Sequence, residues 1–180
     1  MAEIVAGREC GGCFECCRFI PIKTERLEKP TNLLCPNCQP GEGCSVYDKR
    51  PSECRGWECG WKIARGIPDD WRPDIAGIVF RLEAGSEITA TIIDPGKKFR
   101  SEQFASLIAV WVQSGVDVYF QAVGPVGYFP SRLLINPHVA RAIEAQDLPS
   151  VHQELAEMLK AVALDHAWEP DGLVLRNEIA

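Results

Sequence analysis

Cysteines are the residues with the clearest chemical potential in this sequence. All nine of them lie between residues 10 and 59 of the 180-residue chain. Thiolates are soft ligands, and two of them separated by two residues can hold one ion through a tight turn. We therefore predict a metal-thiolate module whose candidate ligands are Cys10, Cys13, Cys16, Cys17, Cys35, Cys38, Cys44, Cys54 and Cys59.

Zinc is the first metal that this pattern predicts. Structural zinc takes four ligands in a tetrahedron, so nine cysteines suffice for two sites with one thiol to spare. The neighbours Cys16 and Cys17 have diverging side chains, which favours two interleaved sites or a binuclear site with a bridging thiolate. The three histidines lie outside the cysteine-rich segment, and their spacing favours surface or cap roles: His138, His152 and His166.

Iron, or a 4Fe–4S cluster, is the alternative cofactor. Cys10, Cys13 and Cys16 have the C-x2-C-x2-C spacing that holds three corners of such a cluster. Cys54 or Cys59 would supply the fourth thiolate. The two alternatives differ in function, because zinc does no redox chemistry and an iron–sulfur cluster does. Spacing alone leaves both open.

The start of the chain predicts a cytoplasmic location. Residues 1–8 show no basic region followed by an apolar run, and no apolar stretch approaches the ~20 residues of a membrane span. The cytosol keeps thiols reduced, and an odd number of cysteines would leave one thiol unpaired. Both arguments disfavour a disulfide framework, and we predict no membrane association.

Charge is distributed unevenly. The net charge is −6, yet residues 1–65 carry ten basic and nine acidic side chains, whereas residues 66–180 carry nine and sixteen. An acidic body argues against nucleic acid, because phosphate binding needs a basic face. The partners that we predict are a metal ion and a protein or small-molecule substrate on the acidic body. Five cations flank the cysteines and are candidates to offset thiolate charge: Arg8, Arg18, Lys49, Arg50 and Arg55.

The first 60 residues have no regular apolar period, so we expect irregular structure that bound metal ties down. Short helical turns are expected after Cys13 and at Pro51. The segment is not expected to form an apolar core of its own. Trp57, Trp61 and Trp71 surround its junction with the rest of the chain, where we expect them to pack the two parts together. We place the domain boundary between residues 1–65 and 66–180.

The body shows the periodicities of an α+β fold. Alternating patterns predict strands at 74–83, 87–93, 116–123 and 128–135, with a turn at 84–86. Helical periods predict a helix from Ser101, a second capped by Asn136, and a third beginning at Ser150. The order is β-β-α-β-β-α-α, which predicts an antiparallel sheet with helices on one face.

Two blocks of the cysteine-rich segment carry a family resemblance. They read Cys10-Gly-Gly-Cys13-Phe-Glu-Cys16-Cys17 and Gly43-Cys44-Ser-Val-Tyr47-Asp-Lys-Arg50-Pro51-Ser-Glu-Cys54-Arg55, followed by Cys59. Residues 8–62 thus resemble the CxxCxxCC cysteine-cluster family (YkgJ-type) of zinc- or iron-chelating domains. The resemblance implies a metal-binding cluster in a bacterial cytosolic protein. The family's usual pattern has eight cysteines, and here the middle position is doubled as Cys35 and Cys38.

An enzymatic role is left open by the sequence. A flagellin lysine methylase carries a motif similar to that of the cysteine-cluster family, so the module can accompany an enzyme. Residues 70–180 resemble no family, and no nucleophile elbow, P-loop or dinucleotide fingerprint is present. We therefore expect a metal-binding protein whose cluster chelates zinc or iron. The alternative is an iron–sulfur redox or protein-modifying enzyme that uses the cluster.

Overall fold

The computed structural model describes residues 3–165 and 167–179. Its helices are α1 (Glu15–Phe19), α2 (Ser52–Gly56), α3 (Gly60–Ile63), α4 (Pro73–Ala76), α5 (Glu102–Gln113), α6 (Asn136–Glu144) and α7 (Leu148–Leu164). Its strands are β1 (Ile22–Lys23), β2 (Leu27–Lys29), β3 (Cys38–Gln39), β4 (Gly43–Cys44), β5 (Ile78–Glu83), β6 (Glu87–Ile92), β7 (Asp117–Ala122), β8 (Tyr128–Phe129), β9 (Leu133–Leu134), β10 (Glu169–Pro170) and β11 (Arg176–Asn177). The predicted α+β class is confirmed.

The largest sheet has four strands in the order β5-β6-β7-β9. Its β5–β6 and β7–β9 pairs are antiparallel, but β6 and β7 are parallel. The expectation of a purely antiparallel sheet is therefore wrong at that pair. The reason lies in α5, which carries the chain from the end of β6 back to the start of β7, as a parallel crossover requires.

One face of this sheet carries the main core. Side chains alternate along strands, and the residues on this face are Ile78, Phe80, Ile88, Ala90, Ile92, Val118 and Phe120. Helices α5, α6 and α7 cover them with Phe104, Ile108, Val139, Ile143, Val151, Leu155 and Val162. The prediction of helices on one face is confirmed. On the opposite face, the buried side chain of Val79 points into the cysteine-rich part of the molecule.

Two predicted strands differ from the observed elements. Residues 73–76 form α4 instead of opening the strand, and Gly77 ends that helix with φ 71°, a left-handed conformation that suits glycine. The predicted strand at 128–135 is split. Its first part, β8, pairs with β10 from the C-terminal region, and only its second part, β9, joins the main sheet.

Two helix starts also differ. Asn136 does not cap α6, because its side chain accepts a hydrogen bond from Val118 N and donates one to Val116 O, both at 2.8 Å. The last helix begins at Leu148 rather than Ser150, since Asp147 is the cap and accepts from Ser150 N. By contrast, Ser101 caps α5, as the sequence predicted.

The end of the chain returns to the cysteine-rich half. Strand β11 pairs with β2, which completes a small antiparallel sheet in the order β1-β2-β11. Behind it, Ile22, Leu27, Cys35 and Cys38 form a second buried cluster against which Ile179 packs. The expectation that residues 1–60 form no apolar core of their own holds only in part, because four buried residues of the segment form a small core that Ile179 helps to cover. A small core exists there because a distant strand supplies part of its cover.

Three tryptophans pack at the junction between the two halves, as the sequence predicted. Trp61 and Trp71 are buried in the main core, Trp57 packs against it, and the Trp71 ring lies 6.3 Å from the Phe80 ring. Arg8 fastens the N-terminal residues here. Its buried guanidinium donates to three backbone carbonyls between residues 61 and 67 and to Asp69.

Within residues 3–165 and 167–179, the structure contains no helix with the length and apolar character needed to cross a membrane.

Gly60 provides a test of the contact between α3 and the edge of the main sheet. A Cβ at this position would lie 2.7 Å from Phe80 Cβ and 2.6 Å from Leu82 Cδ1. We expect Gly60→Ala to lower the free energy of unfolding by about 1–3 kcal/mol, because these neighbours must move. Urea denaturation measures the change. Gly66→Ala is the matched control, since nothing lies within 4 Å of its added Cβ, and equal effects of the two substitutions would contradict the packing argument.

Candidate metal centre

Eight of the nine cysteines line one cavity of about 100 Å³. They are Cys10, Cys13, Cys16, Cys17, Cys35, Cys44, Cys54 and Cys59. Apolar side chains, among them Leu27, Trp57 and Val79, complete the walls. Cys38 is buried but does not line the cavity. The structure thus brings together side chains from several short elements that the sequence could connect only by spacing.

Tight turns position two of the three C-x2-C pairs. Cys13 N donates to Cys10 O at 2.9 Å, and Cys38 N donates to Cys35 O at 3.0 Å. Each bond joins residues three apart, so both cysteines of a pair lie on the same short turn. Helix α1 follows the first turn directly and places Cys16 and Cys17.

Longer-range backbone contacts join the remaining cysteines to these turns. Cys35 N donates to Cys17 O at 3.0 Å, which holds the second turn against α1. Cys38 and Cys44 lie directly opposite each other in the β3–β4 hairpin. Cys54 lies on α2, and Cys59 immediately precedes α3.

Glycines let the first turn approach the β3–β4 hairpin. A Cβ on Gly12 would meet the carbonyl oxygen of Gly41, and one on Gly43 would lie 2.6 Å from the carbonyl oxygen of Gly11. Gly43 also has φ 93°, a conformation that side chains rarely tolerate. Only glycines at these positions allow the two cysteine-bearing turns to come this close.

Backbone N–H groups point at several of the sulfurs. Burial raises the pKa of Cys13 to about 12, while N–H groups of Glu15 and Asp74 donate to its sulfur and oppose that rise. The same opposition between burial and a backbone N–H donor occurs at three more cysteines, with the donor two or three residues further on: Cys35, Cys44 and Cys59. Such bonds favour the charged sulfur, which is the form that binds metal.

Electrostatic contacts divide the thiols into two groups. Group one contains Cys10, Cys13, Cys16 and Cys59, and each of these interacts with at least one other member. Group two contains Cys17, Cys35, Cys38, Cys44 and Cys54. Within it, Cys17 interacts with each of the other four thiols. Contacts also join the two groups, the larger between the neighbours Cys16 and Cys17 and another between Cys44 and Cys10.

Cys17 differs from the other thiols. The hydrogen bond donated by the Cys16 thiol lowers its pKa to about 6, and a bond from Cys38 and the charges of Lys29 and Arg50 act in the same direction. The pKa of Cys16 is correspondingly raised, first by that bond and then by burial. Cys17 therefore lies where the two groups meet, beside the positive charges of Lys29 and Arg50.

A fully buried ammonium supports group two. Lys29 is 0% exposed, and its Nζ donates to the backbone oxygens of Arg18 (3.1 Å), Pro30 (2.9 Å) and Leu33 (2.8 Å). Burial lowers its pKa to about 8, against which the charges of Cys35 and nearby thiols act. The ammonium thus has its donors satisfied and places positive charge beside the thiols.

Group one has its own charged neighbours. The carboxylate of Asp74 accepts a hydrogen bond from the Cys13 thiol and two from Arg72, at 2.7 and 2.8 Å. Burial raises the pKa of Asp74, but the Arg72 contacts outweigh it and the net shift is downward. Lys62 also lines the cavity and pairs with Glu58 at 2.6 Å.

The cations near the thiols are only partly those that the sequence indicated. Arg50 lines the cavity as expected, but Arg8 is engaged at the junction, and Arg18, Lys49 and Arg55 are exposed. Sequence reasoning missed a set of charged neighbours that carry no local signal, because their approach depends on tertiary packing: Lys29, Lys62, Arg72 and Asp74.

Neither of the two histidines that the structure describes takes part in this centre. His138 is exposed on α6, and the His152 ring lies in the body at 6.4 Å from the Phe99 ring. The third, His166, falls outside the described residues. Among residues 3–165 and 167–179, no three or more His, Cys, Asp or Glu side chains form a group that could hold a metal ion as placed. The nine free cysteines thus share a region without converging on one point.

Comparisons with known proteins add no relative. No protein-family model matches the chain. No curated protein matches it in sequence, and no solved structure matches it. The resemblance of residues 8–62 to the CxxCxxCC cysteine-cluster family therefore stays a prediction that depends on the motifs alone.

Replacing Lys29 tests the role of the buried ammonium. We expect Lys29→Met to lower the free energy of unfolding by about 2–4 kcal/mol, because one buried and two partly buried carbonyls lose their donor. Chemical denaturation of the chain measures the loss. Lys23→Met is the control on the neighbouring strand, where the side chain is exposed, and its effect should stay within about 0.5 kcal/mol. A neutral Lys29→Met substitution would show that the three contacts do not stabilise the fold.

Proposed function

We propose that this protein binds metal through its cysteine cluster and that zinc is the principal ion. The observation that carries the proposal is the cavity lined by eight cysteines that span residues 10–59. Cysteines packed only as small apolar residues would have no reason to gather around one cavity. Tight C-x2-C turns and N–H groups directed at sulfur are features of metal-thiolate sites.

Two ions fit the division of the thiols. Group one supplies the four thiolates of a tetrahedral zinc site. Group two has five members, of which Cys38 lies outside the cavity, so Cys17, Cys35, Cys44 and Cys54 remain for a second site. In this proposal each ion draws the four sulfurs of its group together, since no such group could hold an ion as placed among the described residues. Cys38 is then the spare thiol, in agreement with the eight-cysteine pattern of the resembled family.

Charge balance supports the same arrangement. Four thiolates around Zn²⁺ leave a site with charge −2, and nearby cations must offset it. Lys29 and Arg50 lie beside Cys17 in group two, while Lys62 and Arg72 interact with Cys10 in group one. Each proposed site therefore has two cationic neighbours, but those of group one are already paired, Lys62 with Glu58 and Arg72 with Asp74, so the charge argument favours group two.

The metal's role in this proposal is structural for the N-terminal third. That segment has few regular elements and a second core of only four buried residues, so ion binding contributes to its folding free energy. A reducing compartment, the cytoplasm, is the location that we propose, because all nine cysteines are free and must stay reduced to bind metal.

The test is metal analysis on protein purified without oxygen. We expect about two zinc ions per chain and no visible absorption band. Cys59→Ser should remove the ion of group one and leave one per chain. Cys54→Ser should remove the ion of group two, again leaving one. Cys38→Ser is the matched control, because this thiol is buried and contacts Cys17 yet should leave both ions bound.

Two results would contradict the proposal. Wild-type protein that retains no metal after purification without oxygen and addition of zinc would exclude a metal centre. Iron with acid-labile sulfide and a band near ~400 nm would replace zinc by the iron–sulfur alternative. In that case Cys10, Cys13, Cys16 and Cys59 are the first ligands to substitute, since group one contains the C-x2-C-x2-C spacing.

A further inference from the structure

A second cavity lies on the outer side of the small sheet. It is an open groove of about 770 Å³ that borders the β1–β2 hairpin, the segment 49–55 and the C-terminal strand β11. Six cations line it: Lys23, Arg26, Lys49, Arg50, Arg55 and Arg176. Three glutamates also line it, so its net charge is +3 in a chain whose net charge is −6.

Strand register explains how these charges reach one surface. Lys23 is paired with Glu28, and Glu28 is paired with Arg176, so the three side chains lie abreast on β1, β2 and β11. Ile22 and Leu27 point to the opposite side and are buried in the second core. The polar face of the small sheet therefore forms one side of the groove, and the segment with α2 forms another.

Several of the cations are available to a ligand. Arg176 is only loosely paired, at 3.9 Å from Glu28 and 3.8 Å from Glu178. In the part of the chain that the structure describes, no salt bridge holds Lys23, Lys49 or Arg55. Arg50 is fixed in orientation, because its guanidinium lies 3.8 Å from the centre of the Tyr47 ring and its Nε donates to Tyr47 O.

We propose that this groove binds a small anion that carries several phosphate groups. Lysine and arginine are the side chains that bind phosphate, and arginine does so through paired N–H donors. The volume of about 770 Å³ lies in the range of small-molecule sites. No described residue that lines the groove is aromatic, so the site recognises the phosphate chain rather than a stacked base.

The groove adjoins the thiol cavity but does not depend on metal. Arg50, Pro51 and Glu53 line both, so an anion in the groove contacts the segment that carries Cys54. The side chains that supply the positive charge belong to the small sheet and its β1–β2 turn, to the loop before α2 and to α2 itself, and none is a proposed metal ligand. Anion binding can therefore succeed or fail independently of the metal-binding proposal.

The test uses inorganic triphosphate as the probe and the full-length, metal-loaded protein. We expect saturable binding of one triphosphate per chain in calorimetry, weakening as salt screens the charges. Amide NMR shifts should map to residues 23–28, 49–55 and 176–179. Lys23→Gln combined with Lys49→Gln should weaken binding at least tenfold, the factor that about 1.4 kcal/mol of lost interaction represents. Arg141→Gln, an exposed cation on α6, is the control and should leave binding unchanged.

Four outcomes with triphosphate, and one with a comparison peptide, would overturn the proposal. The four with triphosphate are the absence of saturable binding, equal weakening by Arg141→Gln, NMR shifts elsewhere in the chain, and loss of bound metal in step with the signal. The last would show that triphosphate extracts the ion. A glutamate-rich peptide of equal charge serves as the comparison, and tighter binding of that peptide would assign the groove to an acidic protein segment instead.

Discussion

The hydrogen bonds of the Lys29 ammonium are the interaction on which the cysteine-rich half depends most. A buried charge is costly unless its donors are satisfied, and here three carbonyls satisfy them. Those carbonyls belong to the end of α1 and to the loop after β2, so the same group fastens the segment of Cys17 to that of Cys35. The lysine thus provides both cross-links and positive charge where regular secondary structure is scarce.

The main sheet provides the rigid support for that half. Its helix-covered face contains the large apolar core, whereas Val79 on the other face of β5 forms part of the wall of the thiol cavity. The tryptophans around the junction and the close approach of Gly60 to Phe80 join the two regions. The short elements that carry the cysteines are therefore attached to a framework whose stability comes from elsewhere in the chain.

Charge is also distributed differently between the two parts of the chain. The acidic excess belongs to residues 66–180, while cations gather around the thiols and along the outer face of the small sheet. If the cluster binds two ions, its thiolates account for the inner cations. The outer cations exceed the glutamates of the groove by three, which is why the groove is proposed as a separate anion site.

Local sequence determined a substantial part of this protein. The α+β class, the helix after Ser101, the hairpin of β5 and β6 and the short turns at the cysteines follow from period, caps and turn residues, which act over a few positions. Tertiary structure alone decided the parallel pairing of β6 with β7, the return of β11 to β2, and the role of Asn136, whose side chain bonds to β7. Tertiary structure also decided which of the nine thiols lie together and which charged side chains lie beside them. These outcomes depend on contacts between residues far apart in the chain, and no local pattern of residue types encodes such contacts.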